Sequence, residues 1–375
     1  MFDLVVIDEA SQCDVASAIP LLYRGKRALI IGDDRQLIHI TQLGSARNRA
    51  IAKRWQVNDT ALKTFDYRTR SLFTLATHRL GEPLMLDLHF RSRPAIIDFS
   101  NRHFYGGRLE ICTAPIRTSG APTIRWIDVE GVAERGRNGR SWRNRAEAQL
   151  VVSTLRRLLD ELGHSGRDIG IVAPFRAQVE EIRLLADEVL GSRVSDVLIE
   201  TAHRFQGDER AVMIFSPVLS ANLSTGTTRF AADPNLLNVA LTRARDRLFV
   251  TGSRSACLRS ETSLAAFAEY VIRLEASAFD SPLELALFDE LLRRGVASEP
   301  GRTVAGYRMD LAVEFDGHRV DVECDGAAFH TIAAADAARD AAIQLQGWTV
   351  MRFSGRELSR DVRACADRIC AAIGA

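Results

Sequence analysis

Two hydrophobic periodicities alternate along the first two thirds of the chain. Short apolar runs end in glycine, proline or charge: MFDLVVIDE, RALIIGDDRQL, LMLDLHFRSRP, RDIGIVAPF, SDVLIE, RAVMIFSPV and DRLFVTG. Continuous runs of this length, rich in β-branched residues, read as strands buried on both faces. Helical stretches lie between several of them. In RAEAQLVVSTLRRLLDEL the apolar positions 150, 151, 155, 158, 159 and 162 fall on one helical face, and the arginines lie mostly off it. Strands alternating with helices imply a largely parallel sheet covered by helices on both sides. Near residue 279 the rhythm changes. FDSPLELALFDELLRRG places Ser281 and Pro282 as a cap and first-turn pair. A period-two stretch, YRMDLAVEFDGHRVDVECDG, then predicts a hairpin turning at Asp316-Gly317.

Carboxylates sit where these strands end. LVVI runs straight into Asp8 and Glu9, and the carboxyl ends of parallel strands are where open α/β sheets gather ligands. In the hairpin, pairing Phe315 with His318 sets Asp310 opposite Glu323, with Asp325 two residues farther along the same face. Opposed carboxylates repel. Their coexistence calls for a cation, and an all-oxygen set completed by a phosphate suits Mg²⁺.

Composition narrows the class. The 375 residues leave room for two or three domains, and 46% hydrophobic with 26% charged residues is ordinary for a globular chain. No run approaches the roughly 18 apolar residues of a membrane span, and no basic region followed by an apolar run opens the chain. A cytoplasmic setting without membrane contact is expected. The six cysteines lack CxxC or zinc-site spacing and read as reduced thiols. A net charge of +1, from 49 basic against 48 acidic residues, excludes a uniformly basic protein while leaving room for a local basic surface. The stretch EGVAERGRNGRSWRNRAEA is the richest candidate: it is a solvated loop in one reading, and in the other Arg140 and Arg143 contact phosphate.

Five segments, VVIDEASQ, IIGDDRQL, LDLHFRSRP with FSNRHFYGGRL, ETAHRFQGDE and NVALTRARDRLFVTGS, stand in the order and spacing of motifs II to VI of superfamily 1 helicases. They are most similar to the Upf1-like group. The resemblance implies ATP held between two RecA-like domains and a nucleic-acid strand moved across their top. By it, Asp8 is a Mg²⁺ ligand, Glu9 the catalytic base and Gln36 the sensor of the γ-phosphate. Arg91 and Arg243 would face the γ-phosphate, Gln206, Gly207 and Glu209 would form the motif V turn beside the nucleotide, and Thr201 and His203 would face the strand. Two departures stand out. Asp34 replaces the family's proline, and no G-x-x-x-x-G-K-[ST] loop occurs, since YRGKRAL lacks its glycine and hydroxyl residue. Residues 1–86 therefore read as an incomplete first RecA-like domain without its P-loop, and 87–278 as a complete second one. ATP would bind only where a P-loop comes from an N-terminal helicase segment or a partner chain.

Residues 279–375 resemble the PD-(D/E)xK nucleases, in particular the small endonuclease-like domains related to very-short-patch repair, which have a restriction-endonuclease-like α/β fold. The likeness assigns Asp310 and Glu323 to Mg²⁺, with Glu284 as a further metal-site residue. Asp325 stands where the superfamily has lysine, and His330 is the candidate to transfer the proton instead. Together the resemblances imply the C-terminal part of a helicase or translocase acting on DNA or RNA, single-stranded or at junctions, with an attached nuclease in repair or defence. The alternative is a non-catalytic nucleic-acid-binding scaffold with a degenerate ATPase.

Overall fold

The computed structural model describes residues 1–41, 43–113, 122–137, 139–161, 163–205, 207–276, 279, 281–325 and 333–375, with the backbone alone at 325 and 333–336. The chain divides into two compact units, Met1–Leu86 and Asp87–Ala375. No helix among the described residues is long and apolar enough to cross a membrane.

The first unit contains β1 (Val5–Ile7), α1 (Val15–Tyr23), β2 (Ala28–Ile30), α2 (Ser45–Arg54), α3 (Asp59–Thr64) and α4 (Leu72–Leu80). Asp14, Asn58 and Ser71 open α1, α3 and α4 by accepting from the amides of Ser17, Ala61 and Thr74, the usual service of short polar caps. β1 and β2 pair in parallel. The core is small, built on Ile7, Ala10, Ala18, Leu72 and Phe73. Val6 and Leu29, side by side in the register, are 54% and 49% exposed, so half of the apolar strand pattern stays uncovered.

The second unit opens with β3 (Leu88–His89), α5 (Pro94–Phe104), β4 (Glu110–Ile111), β5 (Ile124–Asp128), the hairpin strands β6 (Glu134–Arg135) and β7 (Trp142–Arg143), and α6 (Arg145–Asp160). There follow β8 (Ile169–Ala173), α7 (Arg176–Leu190), β9 (Leu198–Thr201), β10 (Arg210–Phe215), α8 (Thr225–Ala231), α9 (Pro234–Thr242), β11 (Ala244–Gly252), α10 (Arg254–Leu258) and α11 (Ser263–Ala276). Strands β5, β11, β10, β8 and β9 form, in that order, a parallel sheet. One face, through Ile169, Ile171, Val212 and Ile214, packs under α6 and α7. The alternate residues Val172, Met213, Phe215 and Val250 are buried on the other face. There α5 and α11 meet, with Tyr270 Oη donating to the Ala95 carbonyl at 2.7 Å. Burial on both faces is why these strands read as unbroken apolar runs.

The chain ends in α12 (Pro282–Arg293), β12 (Ser298–Pro300), β13 (Thr303–Val304), β14 (Tyr307–Arg308), β15 (Leu311–Phe315), β16 (His318–Asp325), α13 (Ala333–Gln344), β17 (Thr349–Ser354), α14 (Gly355–Arg360) and α15 (Val362–Ile373). Ser281 caps α12 and Pro282 occupies its first turn. A mixed sheet runs β12-β15-β16-β17, antiparallel except for β16 against β17. Phe315 pairs with His318 across the tight turn, where Asp316 and Gly317 take φ of 44° and 81°.

This layer does not stand apart from the parallel sheet. Ile97 of α5 and Ile111 of β4 share one apolar cluster with Leu283, Leu287, Leu311 and Phe353. Arg356 Nε lies 2.6 Å from a Glu110 carboxylate oxygen, and the Ile111 amide donates to Ser359 Oγ at 3.1 Å. Gly355 sits so close that a Cβ there would lie 2.9 Å from the Ile111 carbonyl oxygen. Gly355→Val is therefore expected to force α14 off β4 and destabilise the chain by about 1–3 kcal/mol, read as a lower thermal midpoint. An unchanged midpoint would mean that the contact bears no weight.

Candidate functional site

In the first unit, β1 delivers Asp8 and Glu9 to solvent. Glu9 has φ of 50°, a conformation that costs a non-glycine residue about 1–3 kcal/mol and persists only where neighbours enforce it. Here the Glu9 amide donates to Asp8 Oδ1 at 2.8 Å and the Ala10 amide to the Ile31 carbonyl at 2.8 Å, pinning the bend against the adjoining strand. Gln12 Nε2 donates to Glu9 Oε2 at 3.3 Å. Gln36 lies beyond β2, its Nε2 donating to Asp33 Oδ2 at 3.0 Å, while the Arg35 amide donates to Asp33 Oδ1. Asp34, the odd residue of that loop, is exposed in a turn.

The second unit brings its basic segments together. Arg91, just past β3, lies 2.6 Å from Glu209, and Arg245 approaches the other oxygen of Glu209 at 3.9 Å. The Arg93 amide donates to the Arg245 carbonyl and the Arg210 amide to the Arg243 carbonyl, while Arg93 Nε meets Asp246 at 2.9 Å. Arg243 is only 3% exposed, with Nη1 donating to the Asp208 carbonyl at 3.4 Å. His89 orients the turn that carries Arg91: its Nε2 accepts from the Ser92 amide at 2.8 Å. Burial, with the Arg91 charge adding to it, pushes its pKa down to about 4, so the imidazole is neutral and can accept. Gly207 takes φ of 90°, which the turn before Glu209 requires. Gln206 lies outside the described residues.

Thr201 closes β9 and His203 follows in the turn, both half-buried, with burial holding the His203 imidazole below its usual value. The arginine-rich stretch forms the β6–β7 hairpin. Arg140 is exposed near its tip. Arg143 instead reaches Glu134 at 3.0 Å and the buried Glu181, and Arg135 stacks 4.0 Å over the Trp142 ring.

In the C-terminal sheet the register carries Asp310 to the position opposite Glu323, one step beyond the Leu311–Val322 pair. Asp310 Oδ2 accepts from the Cys324 amide at 2.8 Å. Glu323 is fully buried, and so is Asp321, two residues earlier on the same face. Arg339 of α13 pairs with both. Burial raises the Asp321 pKa, the Arg339 charge opposes that shift, and the Asp310 charge adds to it. Glu284, at the start of α12, is buried. Among the described residues no three His, Cys, Asp or Glu side chains converge as a metal set. The Asp325 side chain and His330 lie outside the described residues. Asp321 was legible in the period of VDVECD, which puts 321, 323 and 325 on one face; Arg339 carried no signal beyond the dipeptide Arg339-Asp340.

Another buried acid, Glu147 of α6, went unsignalled because its helix start resembles any capped one. Asn144 caps the helix, and Glu147 Oε1 accepts from Ser216 Oγ at 2.6 Å and from the Val218 amide at 2.9 Å, while Oε2 is buried without a partner.

A parallel sheet with arginines gathered beyond its strands, followed by a small mixed sheet with carboxylates on one face, defines an α/β protein of helicase type joined to a restriction-endonuclease-like domain. Residues 68–255, just over half of the chain, match the family described as AAA domain (AAA_12), and the chain belongs to that family. Residues 1–41 match a second AAA domain family, AAA_11, and 284–373 match REase_MTES_1575. Helicase SEN1 of Saccharomyces cerevisiae is 28% identical over 275 residues, covering 69% of this chain and 11% of that protein. The DNA replication ATP-dependent helicase/nuclease DNA2 of Gallus gallus is 26% identical over 254 residues, covering 67% of this chain and 23% of that protein. The chain thus spans a minor part of each relative's length. The solved structure of the PRRSV helicase aligns with 98% of this chain and 50% of its own at 13% identity and a TM-score of 0.35.

Proposed function

We propose that this chain is the motor-and-nuclease portion of a nucleic-acid-processing helicase that acts on DNA, in repair or in defence against foreign DNA. The observation that carries the reading is the convergence of Arg91, Glu209, Arg243 and Arg245 in one unit, tied by the Arg91–Glu209 ion pair and the Arg210–Arg243 backbone bond. Guanidinium groups in this arrangement suit an anionic phosphate. Asp8, Glu9 and Gln36 in the first unit complete the set that the helicase resemblance assigns. The residues at hand do not, however, form a phosphate cradle, since no G-x-x-x-x-G-K-[ST] occurs among the 375. ATP turnover is accordingly assigned to the chain only in company with a P-loop from elsewhere.

For the C-terminal layer the donor set fits a hard divalent cation. Asp310 and Glu323 offer carboxylate oxygens, and Mg²⁺ ordinarily completes its shell with water and substrate phosphate rather than with protein. Bound there, Mg²⁺ would supply charge stabilisation and an activated water. The residues' own part is to hold the carboxylates in place on one face, Asp310 by the Cys324 amide and Glu323 by Arg339. The rival reading, a nucleic-acid-binding scaffold with a degenerate ATPase, draws on two departures in the sequence: the missing G-x-x-x-x-G-K-[ST] loop, and Asp325 where the resembled nucleases have lysine.

Strand binding tests the motor half. The full chain is expected to bind single strands weakly and without sequence preference, its affinity falling as salt rises. Arg140→Ala should lower the slope of log K against log salt by about 0.7, the value of one phosphate contact on a single strand. Arg143→Ala should disturb the hairpin instead, because it takes the nearer of two arginine partners from Glu181. Affinity indifferent to salt would overturn the assignment.

A further inference from the structure

The carboxylate face of the C-terminal sheet holds a charge balance that the nuclease assignment alone does not explain. Four described acids lie along it: Asp310, Asp321, Glu323 and Asp340. Two arginines answer them. Arg339, with a side chain 7% exposed, bridges Asp321 at 3.1 Å and Glu323, and touches Asp340 at 3.4 Å. Arg352, beside Glu323 in the β16–β17 register, grips Asp340 with two bonds of 2.6 and 2.8 Å. The alternation is a chain of charges running from the sheet into α13. Asp321 Oδ1 is buried with no hydrogen-bond partner among the described residues.

We propose that Arg339 is a positioning residue, the internal counter-ion that seats Asp321 and Glu323 from the helix side. The inference rests on the nuclease reading for its purpose, but not for its physics. Without Arg339 the buried carboxylate pair would lose the guanidinium that, among the described residues, reaches both, and breaking such a pair is strongly destabilising because the remaining charge stays desolvated. Asp340, locked by Arg352, fixes the other edge of the guanidinium. Planar geometry matters as well: one Nη of Arg339 spans both sheet carboxylates while the other faces Asp340, which a single ammonium cannot reproduce. Arg339 would therefore act on the reaction through Glu323, without touching substrate.

The test uses the full chain and two readouts, the thermal midpoint without metal and the shift that Mn²⁺ or Mg²⁺ adds. Arg339→Met is expected to lower the metal-free midpoint by more than about 5 °C, and Mn²⁺ should restore more than it adds to the parent. Arg339→Lys should recover part of the loss. Asp321→Asn alone should raise the metal-free midpoint and shrink the Mn²⁺ shift, and combined with Arg339→Met it should restore the midpoint toward that of the parent. Should Arg339→Met fail to fold, the Lys and Asn variants still decide. Cleavage, assayed alongside, should fall more than about tenfold in kcat for Arg339→Met, with KM little changed. Equal midpoints and equal metal shifts in parent, Arg339→Met and Asp321→Asn would overturn the assignment. If the parent cuts no nucleic acid but the midpoints behave as described, the nuclease reading falls and the counter-ion stands.

Discussion

Asp310→Asn and Glu323→Gln are each expected to lower Mg²⁺-dependent DNA cleavage by the full chain more than about a hundredfold. The expectation is geometric. A glycine-containing two-residue turn fixes the β15–β16 register, the register brings Asp310 opposite Glu323, and each variant takes one carboxylate from a face already crossed by Arg339. Asp310→Asn is the cleaner of the two, because its carbonyl oxygen can still accept from the Cys324 amide and the fold should survive. Glu323→Gln weakens the Arg339 contact as well and should be checked by melting. Single-turnover cleavage of duplex and single-stranded substrates across a Mg²⁺ series provides the measurement. A double variant that cuts at the parent rate would place the activity elsewhere.

Glu147→Gln should flatten the dependence of stability on pH. Burial raises the Glu147 carboxyl from its ordinary 4.5 up to about 8. Below pH 4.5 the group is protonated in folded and unfolded chains alike and costs nothing. As the pH climbs, the unfolded chain gives up this proton first, so the folded state is penalised progressively until about pH 8, where the penalty levels off at ~5 kcal/mol. Glutamine keeps the oxygen that accepts from Ser216 and Val218 but has no proton to lose. Relative to the parent, the variant should gain stability between pH 5 and 8, as followed by urea unfolding at intervals across that window. Parallel profiles for parent and variant would show that the carboxyl is not held protonated.

Much of the architecture was legible in the chain because burial on both faces leaves an unmistakable signature. IGIVA and RAVMIF became adjacent parallel strands, and the amphipathic stretch beginning at Arg145 became α6 against them. The hairpin at Asp316-Gly317 was legible for a different reason: only a turn that demands positive φ selects that dipeptide. Charges proved harder. Arg143 reads like its neighbours in a glycine-rich basic stretch, yet it is held by Glu181 from a helix 38 residues on, and nothing local records a partner that distant. Arg339 and Glu147 were missed on the same grounds. Their partners come together through tertiary packing, so no spacing along the chain announces them.

Ile97 and Ile111 have a further consequence for how this protein can be taken apart. They precede the C-terminal layer by well over a hundred residues, yet they line its interior together with Leu283 and Phe353. An engineer who grafts residues 279–375 onto another carrier would transplant an open greasy flank, and one who trims them away would strip the parallel-sheet layer of its covering over α5 and β4. The parallel-sheet layer and the C-terminal layer are heritable as a pair: a recombination event that separates them must also invent two new surfaces.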